Sequence, residues 1–409
     1  MLIFKWGVFM KILHTSDWHL GKNLEGETRL YEQKQFIDEL YNICENENVD
    51  IILMAGDVYD TVNPSSSAEE LFYKSVKKLA KNGKRPIIII AGNHDNPERL
   101  EAADILAYEH GIIILGFPKS IAKKGDYENY SIIDSCEGFF RLKKDNETVG
   151  IITMPYPSEK RLGEILNENI YDEEENGTTY SQEIEKIFKI LEQKYNDDEI
   201  NIAMGHFFVA GGEESGSERP IQLGGALAVE HSALPQKAQY IALGHLHKPQ
   251  TVSGTNKKAF YSGSPIEYNR REIKYSKSVN IIDIQPKSEP QIKKVNLTNY
   301  KPIEEWKADS IEEALEMCRN KSEENSWVYL TINSNRVLLQ SEIKEIKKLK
   351  KDIIEISVIS PNMSMEKQEI HKEDKNIIEQ FKDFYIKEES VEPSDDVLKL
   401  FMELMKEEC

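Results

Sequence analysis

Five short stretches place ligand-type side chains directly after apolar runs. They are SDWHLG with Asp17 and His19, MAGDVYD with Asp57, AGNHDN with Asn93, His94 and Asp95, AMGHFF with His206, and LGHLHKP with His245 and His247. Ligands of open α/β folds collect at the carboxyl ends of strands, so stretches far apart in sequence can converge there. Asp17 and His19 are two residues apart, as are His245 and His247, and in extended chain such pairs point to the same side. Oxygen and nitrogen donors without thiolates suit manganese, iron or zinc. Seven candidate ligands are too many for one ion and suit two that share a bridge, a known device for phosphoester cleavage. By residue type alone the run Asn93, His94, Asp95 admits a loop, a metal site or a catalytic acid. A lone histidine at a strand end is ordinarily a solvated polar residue, and His14, His110, His231 and His371 are read that way. Five clusters in one chain are not.

The positioning elements alternate. KILHTSD, DIILMAGD and RPIIIIAGNHD read as strands, the last two buried on both faces. Between them YEQKQFIDELYNICENENV has helical spacing, and SAEELFYKSVKKLAKNG is a helix with Ser65 to Ser67 as N-caps and Gly83 as C-cap. PERLEAADILAYEHG opens on a helix-starting proline. Such alternation implies βαβ units and a parallel or mixed sheet. VGIITMPYP, INIAMGHF and AQYIALGHLHKPQ continue the strands, and KAFYSGSPI and SVNIIDIQ read as closing antiparallel strands. After residue 285 short strands (SWVYLTIN, IIEISVIS) and a helix (SIEEALEMCRN) read as a small α/β domain over 286–361. The segment 362–409 is charged and helical. Ile377, Ile378, Phe381, Phe384 and Tyr385 share one face, and Val397, Leu398, Phe401, Leu404 and Met405 another.

The chain has 409 residues, enough for two or three domains, with 39% apolar and 30% charged residues. No apolar run approaches the roughly 18–20 residues of a membrane span. The opening MLIFKWGVFM lacks a signal-peptide cleavage site; Met10 reads as an alternative start, and the location as cytoplasmic. Cys44, Cys136, Cys318 and Cys409 are scattered, which argues against a disulfide framework and a thiolate zinc site. The net charge of −19 argues, taken alone, against binding DNA.

The ordered set D-x-H, G-D, G-N-H-D, G-H and G-H-x-H resembles the calcineurin-like metallophosphoesterase superfamily. SDWHLGK, GDVYDTVNPS, GNHDNPERL, FVAGGEESGSERPIQLGGALAV and YIALGHLHKPQ extend the resemblance to its bacterial SbcD nuclease subunits, strongly over residues 11 to 285. The resemblance implies a four-layer α-β-β-α sandwich over 1–285, a smaller α/β capping domain over 286–361 that helps seat DNA, and a C-terminal helical tail over 362–409. It implies that Asp17, His19 and His247 bind one divalent metal and Asn93, His206 and His245 a second, with Asp57 bridging and Mn²⁺ the expected ion. His94 would stand by the leaving group, oriented through a hydrogen bond by Asp95. Archaeal and eukaryotic relatives carry a histidine three positions after the bridging aspartate; here that position is Asp60, a departure the bacterial members share.

The same resemblance implies an Mn-dependent nuclease for DNA repair, recombination and replication, acting as double-strand exonuclease and as single-strand and hairpin endonuclease. It implies a homodimer within a heterotetramer whose tail grips an ATP-hydrolysing SbcC-like subunit by a helix-in-groove mode. That partner and the bound cations would offset the acidic charge. The glycine-rich loop 211–225 reads as a surface connection or as a substrate-facing loop in which Arg219 touches phosphate. Two other functions compete: a small-molecule or nucleotide phosphodiesterase with the same metals, and a non-catalytic scaffold.

Overall fold

The computed structural model describes residues 9–158, 161–162, 180–216, 218, 228–336 and 338–359, with Phe381, Tyr385 and Leu398. Arg219 and nearly all of the amphipathic tail lie outside these residues.

The apolar runs form two facing sheets. The first runs in the order Gln291–Asn296, Ser278–Ile284, Met10–Thr15, Ile51–Ala55, Ile87–Ile90, Ile112–Leu115. Its last four strands are mutually parallel and the first two join antiparallel. The second sheet is centred on Glu147–Met154, Ile200–His206, Tyr240–Gly244 and Ala259–Tyr261, all parallel. An antiparallel meander extends it on the Glu147–Met154 side. KAFYSGSPI therefore pairs parallel to Tyr240–Gly244, and antiparallel only to the short Gln250–Thr251.

Alternation along each strand builds the layers. In the all-isoleucine strand Ile87–Ile90, Ile88 and Ile90 enter the core between the sheets, with Ile51, Leu53, Ile200, Ile202 and Met204. Ile87 and Ile89 point the other way, with Ile52 and Met54, onto Phe36, Ile37, Phe72 and Val76 of the helices Leu30–Asn46 and Ser66–Ala80. A strand buried on both faces has no polar position to spare, which is why IIII is tolerated. On the far side Ala203, Ile241 and Leu243 pack against Ile184 and Phe188 of the helix Tyr180–Leu191. The layers are thus helix, sheet, sheet, helix. Ser65 caps the second helix by accepting from Ala68 N at 3.3 Å. That helix closes with Lys81 in the left-handed region (φ 49°), two residues before the expected Gly83.

The boundary expected after residue 285 falls inside a hairpin, because Gln291–Asn296 pairs with Ser278–Ile284 in the first sheet. The small sheet begins at Ile303. Its parallel strands Ile303–Ala308, Trp327–Asn333 and Ile353–Ile359 carry the helices Ile311–Asn320 and Gln340–Leu349 on one face. On the opposite face Ile303, Trp327 and Tyr329 pack on Leu24 of the large unit. Trp327 Nε1 donates to Glu32 Oε1 at 3.1 Å, and Glu267 Oε2 accepts from Ile303 N at 3.0 Å. Among the described residues no helix is long and apolar enough to cross a membrane.

Candidate metal centre

All five ligand stretches reach one end of the two sheets. Each comes at the end of a strand buried along all or nearly all of its length, where the chain turns sharply to aim a side chain at the others. Asp17 (φ 54°), His19 (φ 43°), Asp57 (φ 52°) and His245 (φ 105°) all take left-handed backbone to do so. Such residues cost about 1–3 kcal/mol each and persist where the surroundings over-determine them. Here the loops are laced together: Asp17 N donates to Gly56 O at 3.0 Å, His19 N to Asp57 O at 3.0 Å and Leu20 N to Val58 O at 2.9 Å. The glycines before the ligands make the approach possible. A Cβ on Gly56 would lie 2.3 Å from His206 Nδ1, and one on Gly244 would lie 1.8 Å from Ala55 O.

The ligand atoms fall into two groups about one carboxylate. His19 Nε2 and His247 Nε2 stand 3.0 Å apart, with Asp17 in the same cluster. Asn93 Oδ1 lies 3.0 Å from both His206 Nε2 and His245 Nδ1. Asp57 Oδ2 sits between the groups, 3.5 Å from His19 Nε2 and 3.4 Å from His206 Nε2. Its other oxygen accepts from His94 N at 2.9 Å, which fixes the rotation of the carboxylate.

The donor chemistry fits cations. His206 Nδ1 donates to Ala55 O at 2.8 Å, so Nε2 of the neutral ring turns a lone pair on Asn93 Oδ1 and Asp57 Oδ2. His247 Nδ1 lies 3.0 Å from Glu272 Oε1; an ionised carboxylate only accepts, so His247 Nε2 turns a lone pair toward His19. Lone pairs converging at 3.0 Å repel unless a proton or a metal lies among them. The protonation of the metal-free cluster shows the same demand. Burial opposes the charged form of His206, but the Asp57 and Asp17 carboxylates and the Ala55 carbonyl together outweigh it and carry the ring up to about 9. Burial likewise opposes ionised Asp57, and His206, His19 and His94 together outweigh it, holding the carboxyl well below its ordinary value. Burial alone dominates at His19 and His245, each pulled down to about 3. It also pushes Asp17 up to about 6, against the pull of His206 and His247.

In place of the expected Asp95–His94 hydrogen bond, each of the two side chains takes other partners. The buried Asp95 carboxylate accepts from Gly92 N at 2.8 Å, Tyr59 N at 2.9 Å and Val58 N at 3.1 Å, so it staples the loop after Asp57 to the loop carrying Asn93. His94 Nδ1 instead donates to the backbone carbonyl of Asp60 at 2.6 Å, and its ring centroid stands 4.7 Å from that of His19. Neighbours in sequence part here because the strand has already ended and successive side chains leave in different directions.

Asp60 is the residue that sequence spacing undervalued. Its carboxylate binds Lys22 Nζ at 2.8 Å and faces His19 Nδ1 at 3.5 Å, while its carbonyl holds His94. Glu272, in a polar stretch without strand-end character, carried no signal, and Glu218, which accepts from His247 N at 3.0 Å, lay in the glycine-rich loop without a site role of its own. His14 is not solvated but 0% exposed, wedged between the sheets.

The family model for calcineurin-like phosphoesterases matches residues 10–249. The SbcD subunit of nuclease SbcCD in Bacillus subtilis (strain 168) is 40% identical over 397 residues, covering 97% of each chain. The chain belongs to the SbcD family of calcineurin-like phosphoesterases. SbcD-family relatives with the same name are 29% identical in Staphylococcus epidermidis, over 91% of this chain and 92% of that one. In Rhodobacter capsulatus the figure is 32%, over 69% and 68%. The family match spans all five ligand stretches, and their clustered Asp and His side chains are close enough together to hold divalent cations.

Proposed function

We propose that this SbcD-family chain is the nuclease subunit of an SbcCD-type complex, hydrolysing DNA phosphodiesters with two divalent metals, Mn²⁺ in particular. The observation that carries the reading is the 40% identity to a nuclease subunit over 97% of both chains, with the metal cluster assembled. Asp17, His19 and His247 would hold one ion, Asn93, His206 and His245 the other, and Asp57 both. Bound there, two metals supply charge neutralisation for the phosphate and a nucleophile at neutral pH.

The chain's own groups do the rest. His94 N fixes the Asp57 carboxylate by binding one oxygen, leaving the other turned to both halves. The carbonyl of Asp60 accepts a hydrogen bond from His94 Nδ1 and sets the direction of its ring. His94 then delivers a proton to the departing 3′-oxygen or stabilises its charge. Asp95 keeps the loops in register. Lys22, held by Asp60, offers a cation at the edge of the same cluster.

Exonuclease action on double strands, endonuclease action on single strands and hairpins, ATP regulation, the homodimer, the grip of segment 362–409 on an SbcC-like ATPase and a cytoplasmic location in repair, recombination and replication belong to the same proposal. The discriminating assay sets hairpin DNA against a model aryl phosphodiester, with Mn²⁺ and with the co-purified ATPase subunit, with and without ATP. Hairpin cleavage that rises with the partner supports the reading. Fast turnover of the small ester with inert DNA replaces it by the small-molecule phosphodiesterase.

A further inference from the structure

Two buried charges lie behind the metal cluster in a place that packing does not require. Glu272 is 0% exposed and Lys277 is 6% exposed. Burying an ion pair costs several kcal/mol per ion before the attraction is counted, so it is weak evidence for stability and asks for another role. Glu272 sits on the short turn Arg270–Lys274, whose start is capped by Asn269 Oδ1 accepting from Arg271 N at 2.9 Å. One carboxylate oxygen meets His247 Nδ1 at 3.0 Å. The other accepts from Ser264 Oγ at 3.2 Å, from Tyr268 N at 3.3 Å and from Lys277 Nζ. Lys277 Nζ donates in addition to Ser264 Oγ at 2.7 Å and to His247 O at 3.3 Å. Glu272 and Lys277 together therefore grip His247 at both its ring and its backbone.

The other half of the cluster is built differently. His206 Nδ1 rests on a neutral carbonyl, Ala55 O. His245 Nε2 has no hydrogen-bond partner among the described residues. The third ligand, Asn93, is uncharged. Behind His19, by contrast, stands the Asp60 carboxylate at 3.5 Å, while the Asp17 carboxylate clusters both with His19 and His247 and with Asp57 and His206. With Asp57 and Asp17 near both halves, the carboxylates that stand behind a histidine ring among the described residues, Glu272 and Asp60, lie on the His19 and His247 side.

From this asymmetry we propose that Glu272 is a positioning residue for His247, and that it makes Asp17, His19 and His247 the tighter of two unequal metal positions. The proposal rests on the two-metal reading above. The carboxylate fixes the Nδ1–H tautomer, so Nε2 always faces the ion, and it raises the basicity of the ring. Partners of this kind behind a ligating histidine contribute about 10–100-fold in metal affinity. Among the described residues no carboxylate stands behind the ring of His206, which rests on a carbonyl, or of His245, and their position exchanges its ion more readily.

The test is calorimetric titration of the metal-free full chain with Mn²⁺, read as two binding steps, without any activity measurement. In Glu272→Gln the tighter step weakens about 10–100-fold, while the weaker step keeps its constant. This variant also strands the Lys277 ammonium, so Glu272→Gln/Lys277→Met is titrated beside it. The double variant is expected to regain thermal stability while its tight step stays weak. Nitrogen NMR of the metal-free chain should show His247 as a single Nδ1–H tautomer in the wild type and as a mixture in both variants. Recovery of the tight step in the double variant overturns the proposal, because Glu272 would then be only the counter-ion of Lys277. So do two unaltered steps in Glu272→Gln. A wild-type chain that takes up no Mn²⁺ overturns the two-metal reading itself, and the role of Glu272 with it.

Discussion

Replacing His14 by phenylalanine should destabilise the protein at neutral pH and hardly at all in acid. His14 lies in the interface between the sheets, with Nδ1 2.8 Å from Tyr240 Oη and Nε2 3.2 Å from Leu243 O. Asn280 Nδ2 donates to the same tyrosine at 3.2 Å, so the ring joins three strands through neutral groups only. Phenylalanine fills the space but leaves Leu243 O and Tyr240 Oη short of a partner, which costs about 2–4 kcal/mol. Burial pulls His14 down to about 3, partly offset by its bond to Leu243 O. The unfolded chain takes up this proton near the ordinary value of 6.5 and the folded chain does not. His14 therefore contributes its full stability above about pH 6.5 and loses it as pH falls toward 3. At pH 4 that loss reaches about 3 kcal/mol. Urea unfolding of both proteins in EDTA at pH 7 and pH 4 gives the comparison. The gap between them should be about 2–4 kcal/mol at pH 7 and nearly closed at pH 4. An equal gap at both pH values would refute a buried neutral His14. Because Leu243 precedes His245 by two residues, the variant should also bind Mn²⁺ less tightly.

Three further outcomes follow from the same geometry. His94→Gln should keep two metals by elemental analysis while cleavage falls about 10²–10⁴-fold; metal loss equal to that of Asp57→Ala would make His94 a ligand instead, as its place beside His19 and Asp57 permits. Asp95→Ala strands three buried N–H groups and should lower stability by about 3 kcal/mol or more in chemical denaturation, with Mn²⁺ affinity falling because the loops of Asp57 and Asn93 part. Mn²⁺ at 100 times its dissociation constant should stabilise the wild type by about 2.7 kcal/mol per independent site, an upward shift in melting temperature that Asp57→Ala abolishes; an unmoved wild-type melting curve would count against the cluster as a metal site.

The sequence is most informative where function forces a rule to break. A candidate ligand such as Asp57 or His245 follows an uninterrupted apolar strand, and the preceding glycine marks the close approach that its position requires. Those stretches can be read one by one and then counted together. Asp95 departs from its expected role because adjacency to His94 is not contact: three N–H groups of the loop capture its carboxylate first. Glu272 and His14 are illegible for a different reason. Each acquires its partner from a residue distant in sequence, or from a turn without periodicity, and a polar residue in such a context looks like solvent-facing chain. The hairpin that carries the large unit through Asn296 escapes notice because QIKKVN is mostly exposed and lacks the apolar pattern of a core strand.

The central claim is a two-metal centre divided by Asp57. Anomalous diffraction at the manganese edge from crystals of the Mn²⁺-loaded chain tests it directly. The account predicts two peaks about 3.5–4 Å apart, one ligated by Asp17, His19 and His247, the other by Asn93, His206 and His245, with Asp57 touching both. A single peak at full Mn²⁺ loading, or two peaks that do not share Asp57, would contradict it.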